Sequence, residues 1–381
     1  MRHFDVLTDS ELKAFFKYSP AEFNRDTERE TLGLALGAAL YTPGSRPEFG
    51  DKILSGQYRR GAFSGLATLI ICLEDAVADS ELPKAEANVI EQLKLLERAA
   101  FFQAEAGPAL FLRVRNAAQL DKLTAEAGTA FGVLTGIVFP KGSVENLPGF
   151  FAALDRASEA AGRKLYALPL LETKEVLYSE LREQNLQEIH RILLAEKDRV
   201  LTVRVGATDF SSLYGLRRPA ERTIYEVHVI RDGLTAILNQ FGRAEDGFVV
   251  SGPVYEHFSS GQGRPMSSKP EQVLWQEVQV DVLNGFKGKT CIHPSQISIV
   301  NAGHIVSLET YEDASLIMSE SFKYNGILQS PKRNKMNEVK PHLSWARKVM
   351  AQAEVYGVLN ENYKPIDVLN YIGSNRLSNQ L

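Results

Sequence analysis

Short apolar runs alternate along the chain with longer stretches in which apolar residues recur every three or four positions. The apolar runs predict β-strands. Several of them are continuous rather than alternating, which is typical of strands buried on both faces of a parallel sheet. The eight predicted strands are Ala39–Pro43, Leu69–Val77, Leu110–Asn116, Gly136–Lys141, Tyr166–Thr173, Val200–Phe210, Phe248–Ser251 and Lys289–His293.

The stretches between these strands predict amphipathic helices, because Glu and Lys occupy the positions that the apolar residues leave. Eight strands with helices between most of them predict an α/β fold, a (β/α)8 TIM barrel, with a doubly wound open sheet as the alternative. The barrel is favoured because eight strands close the ring and no glycine-rich dinucleotide motif follows the first strand. The predicted helices are Lys84–Phe102, Val144–Ala161, Glu175–Glu196, Arg222–Phe241 and Lys269–Leu283.

Two segments flank the predicted catalytic barrel of residues 39–304. Residues 1–38 are expected to form an N-terminal helical extension, with a short helix at Asp9–Lys17. Residues 305–381 are expected to form a C-terminal helical tail with helices at Tyr311–Phe322 and His342–Val358. The basic segment Pro331–Met336 between those two helices is interpreted as an exposed linker.

Composition narrows the class of protein. Of the 381 residues, 44% are hydrophobic and 24% are charged, which is typical of a globular protein. The net charge of −4 offers no basic excess for nucleic acid, and no apolar run is long enough to predict a membrane span. With only Cys72 and Cys291 and no apolar leader, we expect a cytoplasmic protein without a disulfide framework or a thiolate zinc site.

Two carboxylates follow successive predicted strands, at the end of a parallel barrel where active sites lie. They are Glu172 and Asp209. Since neighbouring strands lie about 4.8 Å apart, the two side chains are able to converge on one ion. Two carboxylates with positions left for water and substrate suit Mg2+, a hard cation. A helix cap or a salt bridge for each carboxylate is the alternative that spacing alone leaves open.

Arg113 lies inside a predicted apolar strand, where an unpaired charge is costly. It is therefore expected either to pair within the core or to bind an anion, for which the two parallel hydrogen bonds of an arginine are suited. By strand alternation Arg115 is expected on the same face, and Glu74 and Asp75 on the preceding strand are the candidate partners. A structural salt bridge between the two strands and ligand binding both remain open.

The strand ends taken together resemble the HpcH/HpaI aldolase and citrate lyase β-subunit superfamily. The resemblance implies a TIM barrel that uses Mg2+, with Mn2+ as the alternative, to cleave or form a carbon–carbon bond next to a carboxylate or keto acid, often on a CoA thioester. The motifs that carry it run in family order over residues 39–310 and are Pro43-Gly-Ser-Arg-Pro-Glu48, Leu73-Glu-Asp-Ala-Val77, Arg113-Val114, Pro140-Lys141, Glu172-Thr173, Gly206-Ala-Thr-Asp209 and Gly288-Lys-Thr-Cys-Ile-His-Pro294.

The same resemblance implies roles for individual side chains. Glu172 and Asp209 would be the metal ligands, and Arg113 would hold the substrate. Glu74 and Asp75 would stand near the metal and its waters. We hypothesise that one of these two carboxylates or a metal-bound water moves the hydroxyl proton. The residues expected to line the anionic pocket are Arg46, Lys141 and, as an addition to the family pattern, Arg115.

This sequence also departs from the family. It has Arg113-Val-Arg-Asn116 where relatives commonly read Arg-Val-Asn, and Leu216-Arg-Arg-Pro219 follows the sixth strand. These departures argue against a CoA thioester or citrate as substrate. The chain is similar to the divergent barrel-type carbon–carbon lyases that accompany tellurium-resistance biosynthetic clusters.

The function expected from the sequence is therefore a Mg2+-dependent carbon–carbon lyase or aldolase that works through a metal-stabilised enolate of a small carboxylate or keto acid. A Schiff base on Lys141 stays open as a different route. The alternatives are a metal-enolate barrel enzyme of another class, such as a thioester hydrolase or a phosphoenolpyruvate-using enzyme, and a non-catalytic anion-binding subunit. We expect a homo-oligomer.

Overall fold

The centre of the fold is a sheet of eight parallel strands, β1 to β8 in chain order. The computed structural model describes residues 1–100, 107–259, 266–321 and 326–378. The strands are β1 Ala38–Pro43, β2 Thr68–Cys72, β3 Ala109–Arg113, β4 Gly136–Phe139, β5 Tyr166–Leu171, β6 Val203–Val205, β7 Val250–Ser251 and β8 Lys289–Cys291.

The sheet closes into a ring. Each strand from β1 to β6 pairs in parallel with the next, and β8 pairs with β1. β7 and β8 meet through a parallel bridge between Gly252 and Lys289, beside which the Gly252 N–H donates to the Gly288 carbonyl at 3.0 Å. The predicted (β/α)8 barrel is therefore confirmed over the doubly wound alternative.

Most of the strands end earlier than the sequence predicts. β2 stops at Cys72 and β6 at Val205, several residues short of the predicted ends at Val77 and Phe210. The reason is that both faces of these strands are buried, so the polar residues that follow are excluded from the sheet and form loops and helix starts. Those loops gather at one end of the barrel.

Helices surround the strands, and all five helices predicted between strands are present with shifted ends. The sequence reading missed Ala117–Ala127, which begins where the Asn116 side chain accepts from the Gln119 N–H at 2.9 Å. The predicted ends at Phe102 and Phe322 lie outside the described residues. No helix in the described ranges is long and apolar enough to cross a membrane. The α-helices are Asp9–Phe15, Arg29–Ala35, Phe49–Leu54, Leu82–Arg98, Ala117–Ala127, Leu147–Ala160, Ser179–Ala195, Ala207–Leu213, His228–Phe241, Lys269–Asn284, Ile297–Ala302, Leu308–Glu320, Val339–Tyr356 and Pro365–Ser378.

The segments before and after the barrel pack against each other and against the barrel. Phe16–Tyr18 pairs antiparallel with Val358–Leu359, and apolar side chains of both segments join the buried cluster of the barrel helices. Ile327–Gln329 and Met336–Glu338 form a hairpin. The basic segment Pro331–Met336 is exposed, as expected, but residues 331–335 form the turn of this hairpin and Met336 begins its second strand, so the segment is not a plain linker.

Candidate active site

A cavity of about 290 Å3 opens at the C-terminal ends of the barrel strands. Residues from every barrel strand except β4, or from the loops just after those strands, form its wall. It is the place where the fold brings the polar strand ends together. The lining residues are Tyr41, Cys72, Asp75, Ala76, Arg113, Leu170, Glu172, Val205, Gly206, Thr208, Asp209, Val254, Thr290 and Ile292.

Arg113 is the buried cation at the end of β3. Its Nη2 contacts three carboxylates, Glu74 Oε2 at 2.7 Å, Glu172 Oε1 at 3.0 Å and Asp75 Oδ2 at 3.3 Å. Burial alone would lower the pKa of Arg113, but the carboxylates, Glu172 first, raise the pKa above its ordinary value. The salt bridge expected between β2 and β3 is therefore present. Nε of Arg113 has no hydrogen-bond partner among the described residues.

Glu172 is the most buried carboxylate of the cavity wall. Its Oε1 accepts from Arg113 and also from the Lys141 backbone N–H at 2.9 Å. Burial raises the pKa of Glu172 to about 8, because desolvation and the nearby charge of Asp209 outweigh the attraction of Arg113. The ionised carboxylate is thus costly to keep here unless a further cation stands beside it.

Asp209 reaches the same cavity from β6, although not from the strand itself. It lies in the first turn of helix Ala207–Leu213. The strand that was predicted to continue to Phe210 ends before Gly206, and the helix begins directly after that glycine. A Cβ at Gly206 would overlap Oε2 of Glu172, so only glycine fits between the two carboxylates. Within the described ranges, no three His, Cys, Asp or Glu side chains are grouped to hold a metal, which leaves a pair of carboxylates as the candidate set.

Glu74 and Asp75 follow β2 as neighbours with different properties. Burial and then the hydrogen bond with Asp75 raise the pKa of Glu74. Burial acts in the same direction on Asp75, but Glu74, Arg113 and Lys141 together lower its pKa below the ordinary value. Asp75 lines the cavity and its side chain is 55% exposed, whereas Glu74 is buried behind it.

Lys141 lies at the rim with a left-handed backbone (φ +50°) and a half-exposed side chain. Its Nζ pairs with Glu74 and stands 3.5 Å from Asp75 Oδ1. Burial lowers the pKa of Lys141, but these carboxylates raise it more, so the amine is held protonated. Lys141 therefore contacts residues of the wall rather than lining the cavity. The five residues Glu74, Asp75, Arg113, Lys141 and Glu172 are called the site cluster.

Two of the expected anion-binding residues are not at the cavity. Arg115 donates to the carbonyls of Leu73 at 2.9 Å and Val77 at 2.7 Å and pairs with Asp79. The expectation that it shares the face of Arg113 was wrong because β3 ends at Arg113, so strand alternation no longer applies. Arg46 is exposed in the turn after β1 and does not line the cavity either.

Sequence reasoning missed several residues of the cavity floor. Tyr41, Cys72 and Thr290 line the cavity, and none of them was predicted as a site residue. Burial raises the pKa of Cys72, so it stays a thiol. Arg204, inside β6, is 1% exposed and donates to Thr290 Oγ1 at 2.6 Å. The signal that identified Arg113, an arginine within an apolar strand, was available for Arg204 as well.

A second buried charge cluster lies at the seam between β7 and β8. Lys289 pairs with Glu277 at 2.9 Å and with Asp281 at 2.7 Å, both on the helix that follows β7. Arg218, from the loop after β6, pairs with Glu277 and, at 2.6 Å, with Glu256. Burial would raise the pKa of Glu277, but Lys289 and Arg218 lower it. These five residues are called the seam cluster.

One solved structure of low sequence identity shares this fold, and others show a weaker likeness. CitE from Mycobacterium tuberculosis, in complex with magnesium, acetoacetate and coenzyme A, is similar with a TM-score of 0.54 and 21% identity over 84% of this chain and 99% of that chain. The citrate lyase β subunit from the same organism, complexed with oxaloacetate and magnesium, has a TM-score of 0.45 and 20% identity over 71% and 98%. RipC from Yersinia pestis has a TM-score of 0.46 and 17% identity over 71% and 95%. No curated protein matches the chain.

The sequence itself identifies the family. The profile of a family described as carbon–carbon bond lyases of the TIM-barrel fold matches residues 30–358. That range contains all eight barrel strands and every residue of the cavity wall. It agrees with the carbon–carbon lyase superfamily that the strand-end motifs resemble. This chain therefore belongs to the carbon–carbon bond lyases of the TIM-barrel fold.

Proposed function

We propose that the protein is a Mg2+-dependent lyase that breaks a carbon–carbon bond next to the carbonyl of a small carboxylate or keto acid. The observation that carries the proposal is that Glu172 and Asp209, from neighbouring strands, face one cavity whose wall holds Arg113. Family membership supports carbon–carbon bond chemistry. The CitE structure that shares the fold contains magnesium and acetoacetate, which supports this class of cation and ligand here.

The side chains at the cavity fit a hard divalent cation. The carboxylates of the site cluster together with Asp209 outnumber the cations Arg113 and Lys141, and carboxylate oxygens are preferred ligands of Mg2+ and Mn2+. Glu172 and Asp209 would hold the ion, Glu172 through the Oε2 that faces Gly206. When bound, such an ion offsets the charge that develops on a carbonyl oxygen as the adjacent bond breaks, by about several kcal/mol.

Arg113 would bind the carboxylate of the substrate. Its Nη2 is held by Glu74, Asp75 and Glu172, which fixes the plane of the guanidinium, and the residue lines the cavity. A guanidinium fixed in this way forms charge-assisted hydrogen bonds without losing further side-chain freedom. The reacting carbonyl is thereby positioned against the cavity wall near Glu172.

Asp75 would accept the proton in cleavage. A lowered pKa keeps it ionised at neutral pH, and it is the member of the Glu74–Asp75 pair that lines the cavity. The hydroxyl proton of the substrate moves to Asp75, the alcohol carbon becomes a carbonyl, and the electron pair of the broken bond moves toward the other carbonyl oxygen. Lys141 is held protonated by its carboxylate partners, which disfavours a Schiff base.

The size of the cavity bears on the substrate. About 290 Å3 is close to the small end of pockets for small molecules, which range over roughly 300–1,000 Å3. A short keto acid or hydroxy acid fits within it. A CoA thioester would have to leave its nucleotide outside the barrel mouth, so the free acid is the proposed substrate.

The test is a substrate panel of 4-hydroxy-2-keto acids, hydroxy acids and their CoA esters, assayed for release of pyruvate or acetyl-CoA with and without Mg2+. Glu172→Gln and Asp209→Asn are expected to lose both metal binding and turnover. Asp232→Asn is the matched control, because Asp232 forms an exposed ion pair with Arg182. Unchanged metal affinity and turnover in the first two variants would overturn the proposal, and a borohydride-trapped adduct on Lys141 would replace it with a Schiff-base route.

A further inference from the structure

Arg204 is a buried cation without a carboxylate. It points into the barrel, since its register neighbours are Leu170 on β5, which lines the cavity, and Ser251 on β7. Only 1% of the residue is exposed. Among the residues that the structure describes, no carboxylate pairs with Arg204 and its Nε lacks a hydrogen-bond partner.

The surroundings of Arg204 are neutral. Nη2 donates to Thr290 Oγ1 at 2.6 Å, and the guanidinium carbon stands 6.0 Å from the centre of the Tyr41 ring. The Ser251 hydroxyl is buried and has no partner in the described part of the chain. A ring face and a hydroxyl compensate only a fraction of the cost of burying a charge. Arg113 and Arg218, by contrast, are each paired with two or more carboxylates.

Arg204 also lies next to the cavity. Thr290 and Tyr41, the two groups that it touches or faces, both line the wall. β6 is separated from β3, the strand of Arg113, by β4 and β5 in the ring. The two arginines therefore approach the cavity from different sides, with Glu172 on a strand between them.

We infer that Arg204, with Thr290 and Ser251, forms a second anion subsite at the cavity floor, which takes a distal carboxylate of the substrate. This inference rests on the proposed function and deepens it, because it selects dicarboxylic keto acids over keto acids with one carboxylate. Arg113 holds the carboxylate beside the reacting carbonyl, and Arg204 holds the one at the other end of the carbon chain. The distal carboxylate of the ligand supplies the negative charge that no described side chain provides to Arg204.

The experiment compares 2-oxoglutarate with 2-oxopentanoate, which has the same five-carbon chain but no distal carboxylate. Binding to the Mg2+-loaded full chain is measured by calorimetry. We expect the wild type to bind the diacid about tenfold to a hundredfold more tightly, as one charge-assisted pair contributes. Arg204→Met is expected to remove this preference while the affinity for 2-oxopentanoate stays the same. Arg204→Lys should restore part of it.

A purely structural role for Arg204 gives different results. It predicts a lower melting temperature for Arg204→Met and an unchanged ratio of the two affinities. Equal affinities in the wild type, or a preference that persists in Arg204→Met, would overturn the subsite and leave the metal proposal intact. If neither acid binds in the presence of Mg2+, the proposed function fails, and the subsite with it.

Discussion

The site cluster and the seam cluster are built from the same types of residue but in opposite environments. In the seam cluster, the side chains of Arg218 and Glu277 are 2% and 0% exposed, and Lys289 is enclosed with them. In the site cluster, the side chains of Asp75 and Lys141 are 55% and 49% exposed, and Asp75 lines the cavity.

The two clusters differ in whether they border a cavity. Each holds three carboxylates and two cations, and in the seam cluster every carboxylate pairs directly with Arg218 or Lys289, so the seam cluster joins the loop after β6, the helix after β7 and strand β8. At the cavity Asp209 adds a fourth carboxylate, and burial raises the pKa of Glu172 to about 8. An enclosed cluster of direct ion pairs stabilises a structure, whereas a cluster that borders a cavity with a surplus of carboxylates has capacity for a ligand.

The largest expected effect separates activity from stability. Glu172→Gln should lower turnover by about 10³-fold, since the loss of a metal ligand removes several kcal/mol of transition-state stabilisation. It should leave the free energy of unfolding in the absence of metal unchanged or higher, because the neutral form is already favoured at this site. Steady-state kinetics and urea unfolding measure the two quantities. A large loss of stability without loss of turnover would show that Glu172 stabilises the fold and is not needed for the reaction.

Glu277→Gln in the seam cluster should do the opposite. It leaves Lys289 and Arg218 buried with fewer negative partners, so the free energy of unfolding should fall by about 3 kcal/mol. Turnover of the protein that remains folded should stay near that of the wild type. Urea unfolding with activity per folded molecule checks both, and a variant as stable as the wild type would show that the seam pairs do not hold the barrel.

Mild acid should weaken the fold at the other end of the barrel. Burial lowers the pKa of His3 to about 3 and the pKa of His304 well below 6.5. Both stay neutral in the folded state while the unfolded chain binds protons below pH 6.5, so stability is lost as the pH falls. From pH 6.5 to 5 the loss is about 2 kcal/mol for each histidine.

Glu277 does not share in this loss, because a carboxylate with a lowered pKa loses its contribution only below about pH 4.5. The variant His3→Gln distinguishes the contribution of the buried histidine from that of the carboxylates. Its unfolding free energy should depend less steeply on pH between 6.5 and 5 than that of the wild type. Equal slopes would assign the acid sensitivity to another group.

The smallest effects are expected for substitutions of Arg46 and Arg115, the two arginines that were predicted to bind the substrate but do not line the cavity. Arg46→Gln should change neither KM nor stability, because Arg46 is exposed away from the cavity. Arg115→Gln should cost about 1–2 kcal/mol of stability through its bonds to Leu73 and Val77 and leave KM unchanged. A tenfold rise in KM for either variant would return that arginine to the substrate site.

The sequence was sufficient to predict those features of the candidate site that depend only on the order of the strands. Apolar runs locate the strands, and the polar residues after them must gather at one end of a parallel barrel, which is how Glu172 was predicted to lie there. Arg113 was singled out as a charge inside an apolar strand and Asp75 as its candidate partner, and all three line the cavity. Asp209 also lines the cavity, but its place in a helix was not predicted, because Val200–Phe210 was interpreted as one strand.

Side-chain direction was the part that the sequence left undetermined. Arg115 was placed beside Arg113 because the strand was predicted to continue to Asn116, whereas β3 ends at Arg113 and the alternation of side chains ends with it. The strand reading also absorbed Arg204, since Val200–Phe210 was treated as one apolar run. That no described carboxylate pairs with Arg204 can be recognised only when all neighbours of the guanidinium are known.

The pairing of the first and last parts of the fold affects how the protein is made. The Tyr356 hydroxyl donates to the Leu34 carbonyl, 322 residues away in the chain, and Phe16 pairs with Leu359. At roughly 5–20 residues per second of translation, the early segment waits on the order of tens of seconds on the ribosome for its partner. We expect the nascent chain to need a chaperone in that interval, and a chain cut before Val358 to aggregate.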